Sequence, residues 1–322
     1  MNTDLLEYLR CPVSGCALRQ GEEASTLVPV TGSECYPLVD GVPVLVADQA
    51  ERNRIATVDW QGGETGASAA DFYNQTRDLE TFLANDRPEH RPALSRFLGS
   101  APAKGLVLEI GSGKGAFQNI GQPYVAVDYS LTALRRYINP EIGRICASAE
   151  QLPLKDSTVR FCFTIMCLEH VPRADLAMAE IDRVLLPGGI AYIAPAWHCV
   201  QYNCEGISVR PWSELSFRQR LIKATLPLRR NRVLKAICSL PRRTVRRLQW
   251  MATRRPMPMP VHRLRPDYAH FWLSDSDATS RLDSHDGCLY FASRGYEILQ
   301  PAGSTLKQVC AGHIALVVRK PT

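Results

Sequence analysis

The chain has 322 residues, a formal net charge of +6 and 45% hydrophobic residues. These values describe an ordinary globular protein with room for one large domain and one small domain. Its apolar runs are all shorter than the roughly eighteen residues that a transmembrane helix needs. The first residues lack a basic segment followed by an apolar core, so the sequence predicts a cytoplasmic protein without a secretory signal. The 11 cysteines are then expected to be reduced.

Residues 1–47 are predicted to form a small β module that follows a short helix, with strands at 26–30, 36–39 and 42–46. Two stretches carry a resemblance: L-L-x-x-L-x-C-P, which begins at Leu5, and Y-P-L-V-D-G-V-P-V-L, which begins at Tyr36. They resemble the small zinc-ribbon family of methyltransferase-activating domains.

The cysteines of this module form an incomplete metal site. Cys11 and Cys16 have C-x₄-C spacing, and Cys35 alone stands where the family often has a second pair. A structural zinc ion needs four ligands in a closed tetrahedron, and three thiolates do not supply them. We therefore predict a zinc-ribbon-like module without metal.

Residues 48–104 are predicted to be a linker with cap helices. The segment 61–66 is rich in glycine, which is typical of a flexible connection. Apolar residues then recur at helical spacing in 71–83 and in 91–98.

An apolar run at 106–110 leads into Gly111, Gly113 and Gly115, which predicts a buried strand, a tight loop and a helix from about Ala116. Such a unit holds a nucleotide-like ligand at the carboxyl edge of an open sheet. The glycines also satisfy the dinucleotide pattern G-x-G-x-x-A. Carboxylates at Glu109 and at Asp128, which ends the next predicted strand, favour a cationic ligand with ribose hydroxyls over a phosphate.

The run E-I-G-S-G-K-G resembles the first motif of class I S-adenosylmethionine-dependent methyltransferases, of the small-molecule type similar to ubiquinone-biosynthesis methyltransferases. Four further motifs follow in the family's order: Asp128, the stretch around Ser148, C-L-E-H-V from Cys167 and E-I-x-R-V-L-x-P-G-G from Glu180. The resemblance implies S-adenosyl-L-methionine as cofactor. The residues that it implies for the cofactor are Glu109, Gly111, Ser112, Gly113, Gly115, Asp128, Tyr129, Ser148, Ala149, Glu150, Cys167 and Leu168. Ser148 and Cys162 depart from the family because they stand where it commonly has acids.

The fold that this resemblance implies is α/β, with a Rossmann-like sheet of seven strands over residues 105–322. A helical insertion at 197–284 follows the fifth strand. The sixth and seventh strands are predicted at 296–299 and 313–318, after a helix at 287–293.

Within the insertion, residues 210–265 carry 16 Lys and Arg and one acid, Glu214. Apolar residues alternate with these bases, and Pro227 and Pro241 are expected to divide the stretch into three short amphipathic helices. Such helices suit peripheral contact with the inner face of an anionic membrane. A solvated basic lid and, less favoured, a nucleic-acid surface are the alternatives.

The acceptor of the methyl group is predicted from the polar and aromatic stretch 271–286, with Trp272, Asp275, Asp277 and His285 as substrate-binding candidates. An aromatic face and carboxylates together suit a sugar. The W-x-S-D-S-D-A run also resembles a stretch in methyltransferase-like proteins associated with bacterial surface polysaccharides. The alternative is a loop whose aspartates cap helices.

Methyl transfer to an alcohol requires a base that takes the hydroxyl proton, and His170 and His198 are the candidates. The sequence thus predicts O-methylation of a sugar or lipid-linked glycan at the cytoplasmic membrane face. RNA methylation through residues 210–265 is one alternative. A non-catalytic, methyltransferase-like scaffold is the other, favoured by the departures at Ser148 and Cys162.

Overall fold

The computed structural model describes residues 3–57, 68–75, 87–268, 270, 275–302 and 315–322. The chain divides into two compact units. The first comprises Met1–Ile165, Leu176–Tyr192 and Thr322, and the second comprises Met166–Asp175 and Ile193–Pro321. The three-part division into 1–47, 48–104 and 105–322 stays a prediction.

The elements are numbered here in chain order. The strands are β1 Leu18–Gln20, β2 Thr26–Pro29, β3 Tyr36–Val39, β4 Val42–Pro43, β5 Leu106–Ile110, β6 Tyr124–Asp128, β7 Gly143–Cys146, β8 Val159–Ile165, β9 Leu185–Ala194, β10 His262–Arg263, β11 Ser280–Arg281, β12 Glu297–Gln300 and β13 Leu316–Arg319. The α-helices are α1 Thr3–Leu6, α2 Gln49–Ala56, α3 Ala69–Gln75, α4 Arg91–Gly99, α5 Leu131–Tyr137, α6 Ala174–Val184, α7 Gln201–Cys204, α8 Phe217–Ala224, α9 Leu226–Arg230, α10 Arg232–Thr253 and α11 Ser284–Ala292.

A seven-stranded sheet with the order β12-β13-β9-β8-β5-β6-β7 forms the centre of the fold. Strand β5 pairs in parallel with both β6 and β8, β6 pairs in parallel with β7, and β12 is antiparallel to β13. All five residues of β5 are buried, as expected of a central parallel strand that is covered on both faces. The predicted seven-stranded, Rossmann-like sheet is confirmed.

The N-terminal module is a four-stranded antiparallel sheet, β1-β2-β3-β4, that joins the edge of the large sheet. Val44 forms a parallel bridge with Cys146 of the edge strand β7, and the Leu45 N–H donates to the Cys146 carbonyl at 2.8 Å. The predicted strand 42–46 therefore ends at Pro43, because the next residues pair with β7 instead. This contact covers backbone groups that an open sheet edge would expose.

The cysteine thiols of this module have protein partners. The Cys11 sulfur lies 3.1 Å from the Tyr36 hydroxyl, and the Cys16 sulfur lies 3.0 Å from the Ser14 hydroxyl, while Cys35 is exposed. Within the described ranges, no group of three or more His, Cys, Asp or Glu side chains could hold a metal ion. The zinc-ribbon character of the module stays a prediction.

Two local predictions were wrong. No helix begins at Ala116, and residues 113–119 form successive turns, because the left-handed glycines before Ala116 and Gly121 after it leave too few residues for a helix. Pro241 does not divide the insertion, since it lies inside the 22-residue helix α10, whose next turn is fixed by ion pairs from Arg242 and Arg243. Helix α5 begins after Ser130, whose hydroxyl accepts from the Ala133 N–H.

Candidate functional site

The glycine loop that follows β5 is held against β6 by its own backbone. Gly111, Gly113 and Gly115 have φ of 76°, 48° and 70°, in the left-handed region that favours glycine. The N–H groups of Gly111 and Ser112 donate to the Val127 carbonyl at 2.8 and 3.3 Å. A side chain at position 115 would be strained by the φ of 70°, and its Cβ would lie 2.5 Å from the Ile138 Cδ1 atom, which would have to move. The loop therefore has a defined shape before any ligand binds.

Asp128, the last residue of β6, accepts a hydrogen bond from this loop. Its two carboxylate oxygens accept from the N–H groups of Gly113 and Ser130, each at 2.8 Å. Burial raises the pKa of Asp128, and the backbone N–H donors oppose that shift. Each carboxylate oxygen still has a lone pair for another donor, so the side chain can also accept from ribose hydroxyls.

Glu109 lies within β5 and is buried, and its carboxyl accepts from the Tyr124 hydroxyl of β6. Burial raises the pKa of Glu109 to about 8, although the hydrogen bond from Tyr124 acts in the opposite direction. The carboxyl is therefore mostly neutral at pH 7, and its contact in the structure is with Tyr124.

We expect Glu109→Gln to flatten the pH dependence of stability. With an ordinary pKa of 4.5 and a folded value of about 8, Glu109 favours folding below pH 4.5, and that contribution is lost as the pH rises toward 8. The variant should gain about 2 kcal/mol or more relative to the wild type between pH 5 and pH 8. Urea unfolding at the two pH values measures this difference, and parallel pH profiles of the two proteins would contradict the assignment.

Two buried hydroxyls near the loop lack hydrogen-bond partners among the described residues: Ser112 Oγ and Thr164 Oγ1. Ser112 is the second residue after β5, and Thr164 of β8 pairs with Ile110, the last residue of β5. Both hydroxyls thus lie near the carboxyl ends of neighbouring strands. Because buried polar groups in native proteins usually have partners, this pair fits a site for a polar ligand.

The loop after β7 reaches the same strand ends. The Ala147 N–H donates to the Asp128 carbonyl at 3.1 Å, and Ala149 is buried. Ser148 Oγ accepts from the Glu150 N–H at 3.2 Å. The Tyr129 hydroxyl donates to Glu51 of α2. In the first unit, the structure thus brings together the predicted cofactor residues from the ends of β5, β6 and β7.

The remaining predicted cofactor residues, Cys167 and Leu168, belong to the second unit. They follow β8 in the chain and open a 3₁₀ turn, Leu168–His170, in which Leu168 is buried. The His170 N–H donates to the Cys167 carbonyl at 2.9 Å.

His170 lies among carboxylates. Its Nδ1 atom is 2.8 Å from an Asp277 oxygen, and its Nε2 atom is 3.8 Å from Glu169 Oε1. Burial opposes protonation, but the charge of Asp277 and its hydrogen bond, with Glu169 and Asp275, outweigh it and raise the pKa of His170 to about 10. His170 therefore carries a proton at pH 7, which does not favour the predicted role of a base.

His198, in contrast to His170, is neutral at pH 7. Burial lowers the pKa of His198, and the positive charge of Arg243 adds to the effect, while Asp283 opposes it. Its Nε2 atom lies 3.3 Å from Arg243 Nη2 and its φ is 69°. One ring nitrogen of a neutral imidazole can accept a proton.

The predicted substrate-binding residues fall into three situations. Trp272 lies outside the described residues. Asp275 accepts from the Cys199 thiol at 3.4 Å, and Asp277 pairs with His170. His285 is fully buried in α11, and burial lowers its pKa to about 4, so it is neutral.

The hydrogen-bond and ion-pair partners of the candidate residues were not predicted from the sequence. Tyr124, Glu51 and Glu169 were not among the candidates, nor were Arg242 and Arg243, which pair with Asp283. A glutamate inside an apolar strand, as at position 109, is itself a signal that a hydrogen-bond partner is needed. The identity of that partner depends on strand register, which a single sequence does not reveal.

Part of the chain is similar in sequence to known methyltransferases. Residues 108–193 match a family model described as a methyltransferase domain. Over 95 residues the chain is 36% identical to the biotin biosynthesis bifunctional protein BioHC of Cellvibrio japonicus, covering 27% of this chain and 19% of that protein. Over 141 residues it is 32% identical to the malonyl-[acyl-carrier protein] O-methyltransferase of Methylococcus capsulatus, covering 40% and 49%.

Among solved structures, the chain is similar to the YcgJ protein of Bacillus subtilis, with a TM-score of 0.40, 14% identity and coverage of 73% of this chain and all of that one. The chain spans about half or less of the length of the two curated relatives. Residues 108–193 are thus similar in sequence to a methyltransferase domain.

Proposed function

We propose that the chain transfers a methyl group from S-adenosyl-L-methionine to a hydroxyl of a sugar or of a lipid-linked glycan at the cytoplasmic face of the membrane. The choice of methyl donor rests on one observation: the Gly113 N–H donates a hydrogen bond to Asp128 at the carboxyl ends of β5 and β6. When bound there, the cofactor supplies an electrophilic methyl group. Asp128 would accept from its ribose hydroxyls.

The same loop favours this cofactor over a dinucleotide. Binding of a pyrophosphate relies on loop N–H groups and a helix N-terminus. Here the N–H groups of Gly111, Ser112, Gly113 and Gly115 all have acceptors within the protein, and residues 113–119 form turns. A ligand with ribose hydroxyls, a sulfonium cation and no phosphate suits the acidic Asp128 better.

Buried polar atoms in the second unit support a hydroxyl-rich acceptor. Several lack hydrogen-bond partners in the part of the chain that the structure describes: Glu169 Oε2, Ser276 Oγ, Ser284 Oγ, and both ring nitrogens of His285. A sugar presents several donors and acceptors on a small body, so it could satisfy groups of this kind. The carboxylates of Asp275 and Asp277 add strong acceptors.

The two histidines would have different roles. His170 keeps its proton through Asp277, so it would orient the acceptor by donating a hydrogen bond rather than by removing a proton. His198 is neutral at pH 7, so it would take the hydroxyl proton as the methyl group is transferred.

The experiment is a transfer assay with methyl-labelled S-adenosylmethionine and three cell fractions: lipid-linked glycans, water-soluble glycans and total RNA. We expect label in a glycan fraction as an alkali-stable methyl ether, and at least about a tenfold lower rate for His198→Gln. Arg319→Gln, at an exposed ion pair between β13 and β12, serves as the matched control.

Alkali-labile label would indicate a carboxyl acceptor and would contradict the proposed hydroxyl. Label confined to RNA would favour the nucleic-acid alternative. Binding of the cofactor without transfer to any fraction would favour the scaffold.

A further inference from the structure

The helical insertion of the second unit turns an apolar face to solvent. In α10, Val233, Ile237, Val245 and Leu248 are 66%, 59%, 64% and 58% exposed. At 100° per residue these positions fall on one side of the helix. Leu234, Leu240 and Met251 extend the same exposed stripe.

The opposite side of α10 is fixed to the protein by ion pairs. Arg243 Nη2 lies 2.9 Å from Asp283, and the nitrogens of Arg242 and Arg246 lie 2.7 and 2.6 Å from Asp286. Arg243 is almost fully buried. These contacts set the rotation of the helix about its axis, so the apolar stripe faces outward because the opposite side is held by charge pairs.

The two helices before α10 continue this exposed surface. Phe217 is 78% exposed and Leu221 55% exposed in α8, and Leu228 is 62% exposed in α9. We name the exposed apolar side chains of α8, α9 and α10 the apolar surface; its members are Phe217, Leu221, Leu228, Val233, Leu234, Ile237, Leu240, Val245, Leu248 and Met251.

The charged side chains within the segment that carries the apolar surface have a single sign. Residues 215–266 contain no Asp or Glu. Among the side chains that the structure describes there, the exposed Lys and Arg residues are Arg218, Arg220, Arg229, Arg230, Lys235, Arg254, Arg255, Arg263 and Arg265. A second copy of this chain would bring the same positive charge and be repelled. Nucleic acid would match the charge but leave the apolar side chains in water.

We infer that the apolar surface lies in the interface of an anionic lipid bilayer, with the surrounding Arg and Lys at the headgroups. Exposed apolar side chains bordered only by basic ones are typical of interfacial helices. None of the described helices is long and apolar enough to cross a membrane, so the contact is peripheral. The inference deepens the proposed membrane location and does not depend on methyl transfer.

The test is co-sedimentation of the full chain with vesicles of phosphatidylglycerol and phosphatidylcholine, compared with phosphatidylcholine alone. The apolar variant carries Val233→Gln, Ile237→Gln and Leu248→Gln. The basic variant carries Arg229→Gln, Arg230→Gln and Lys235→Gln. The matched control replaces Val13 and Val30, which are exposed to a similar degree on the N-terminal module, with glutamine.

We expect wild type and control to bind the anionic vesicles and not the neutral ones, with binding that weakens as salt rises. The apolar and basic variants should each bind at least about tenfold more weakly. Unchanged thermal unfolding of the variants shows that the loss is not a loss of folding.

Three results would overturn the inference. One is the absence of binding to anionic vesicles. Another is retention of vesicle binding by the apolar variant, with RNA binding lost in the basic variant, which would indicate a nucleic-acid surface. The third is a wild-type dimer in light scattering that the apolar variant turns into a monomer, which would indicate a second copy. None of them bears on cofactor binding, so the proposed methyl transfer is tested separately.

Discussion

Replacing Asp283 with alanine is expected to lower the free energy of unfolding by about 3–5 kcal/mol, because it removes the carboxylate that pairs with the buried guanidinium of Arg243. Asp283 accepts from Arg243 at 2.9 and 3.2 Å, and from Arg242 at 2.8 Å. It also caps α11 by accepting from the His285 N–H. Burial works against ionisation, but Arg243 outweighs it and lowers the pKa of Asp283 to about 2.

The sign of the pH dependence follows from that pKa. Because the folded value lies below the ordinary 3.8, the stability from Asp283 is present above pH 3.8 and is lost as the pH falls through about 2. Urea unfolding at pH 7 measures the effect. The control is Glu297→Ala, which breaks an exposed ion pair with Arg319 and should cost less than about 1 kcal/mol. Equal costs for the two variants would contradict the role of the buried pair.

Replacing Asp128 with alanine is expected to weaken S-adenosylmethionine binding by about a hundredfold. The change removes the acceptor for ribose hydroxyls and also releases the Gly113 and Ser130 N–H groups that shape the loop. A hundredfold change corresponds to about 2.7 kcal/mol of binding free energy. Calorimetric titration measures it directly.

Asp128→Asn separates the two effects of this change. Its amide oxygen can still accept one N–H, so the loop should be held better than in the alanine variant, while the negative charge is lost. We expect intermediate affinity for the asparagine variant. Wild-type affinity in both variants would show that Asp128 does not contact the cofactor.

The central sheet was predictable because its strands are short apolar runs that end in glycine or an acid. Buried runs such as 106–110 and 124–128 predict parallel strands, and the five motifs fix their order in the chain. The Ser130 cap was predictable for the same local reason, since a serine hydroxyl satisfies N–H groups only a few residues away.

Contacts between distant residues could not be predicted from the sequence. The bridge between Val44 and Cys146 and the hydrogen bond between Tyr124 and Glu109 depend on which strand edges meet. The protonation of His170 depends on Asp277, more than a hundred residues later. A single sequence does not record such pairings.

Which side of the insertion's long helix is covered could not be predicted from the local sequence either. The alternation of basic and apolar residues predicts an amphipathic helix but not which side is covered. Asp283 and Asp286 form ion pairs with Arg242, Arg243 and Arg246. This side of α10 therefore faces the protein, and the apolar stripe is exposed to solvent. The same pairs explain why Pro241, which breaks one helical hydrogen bond, does not end α10.

The most direct test of the account is calorimetric titration of the full chain with S-adenosylmethionine and, separately, with NAD. We expect micromolar binding of S-adenosylmethionine and none of NAD, because the loop N–H groups that would hold a pyrophosphate already have acceptors. Binding of NAD, or failure to bind S-adenosylmethionine, would contradict the cofactor assignment on which the proposed methyl transfer rests.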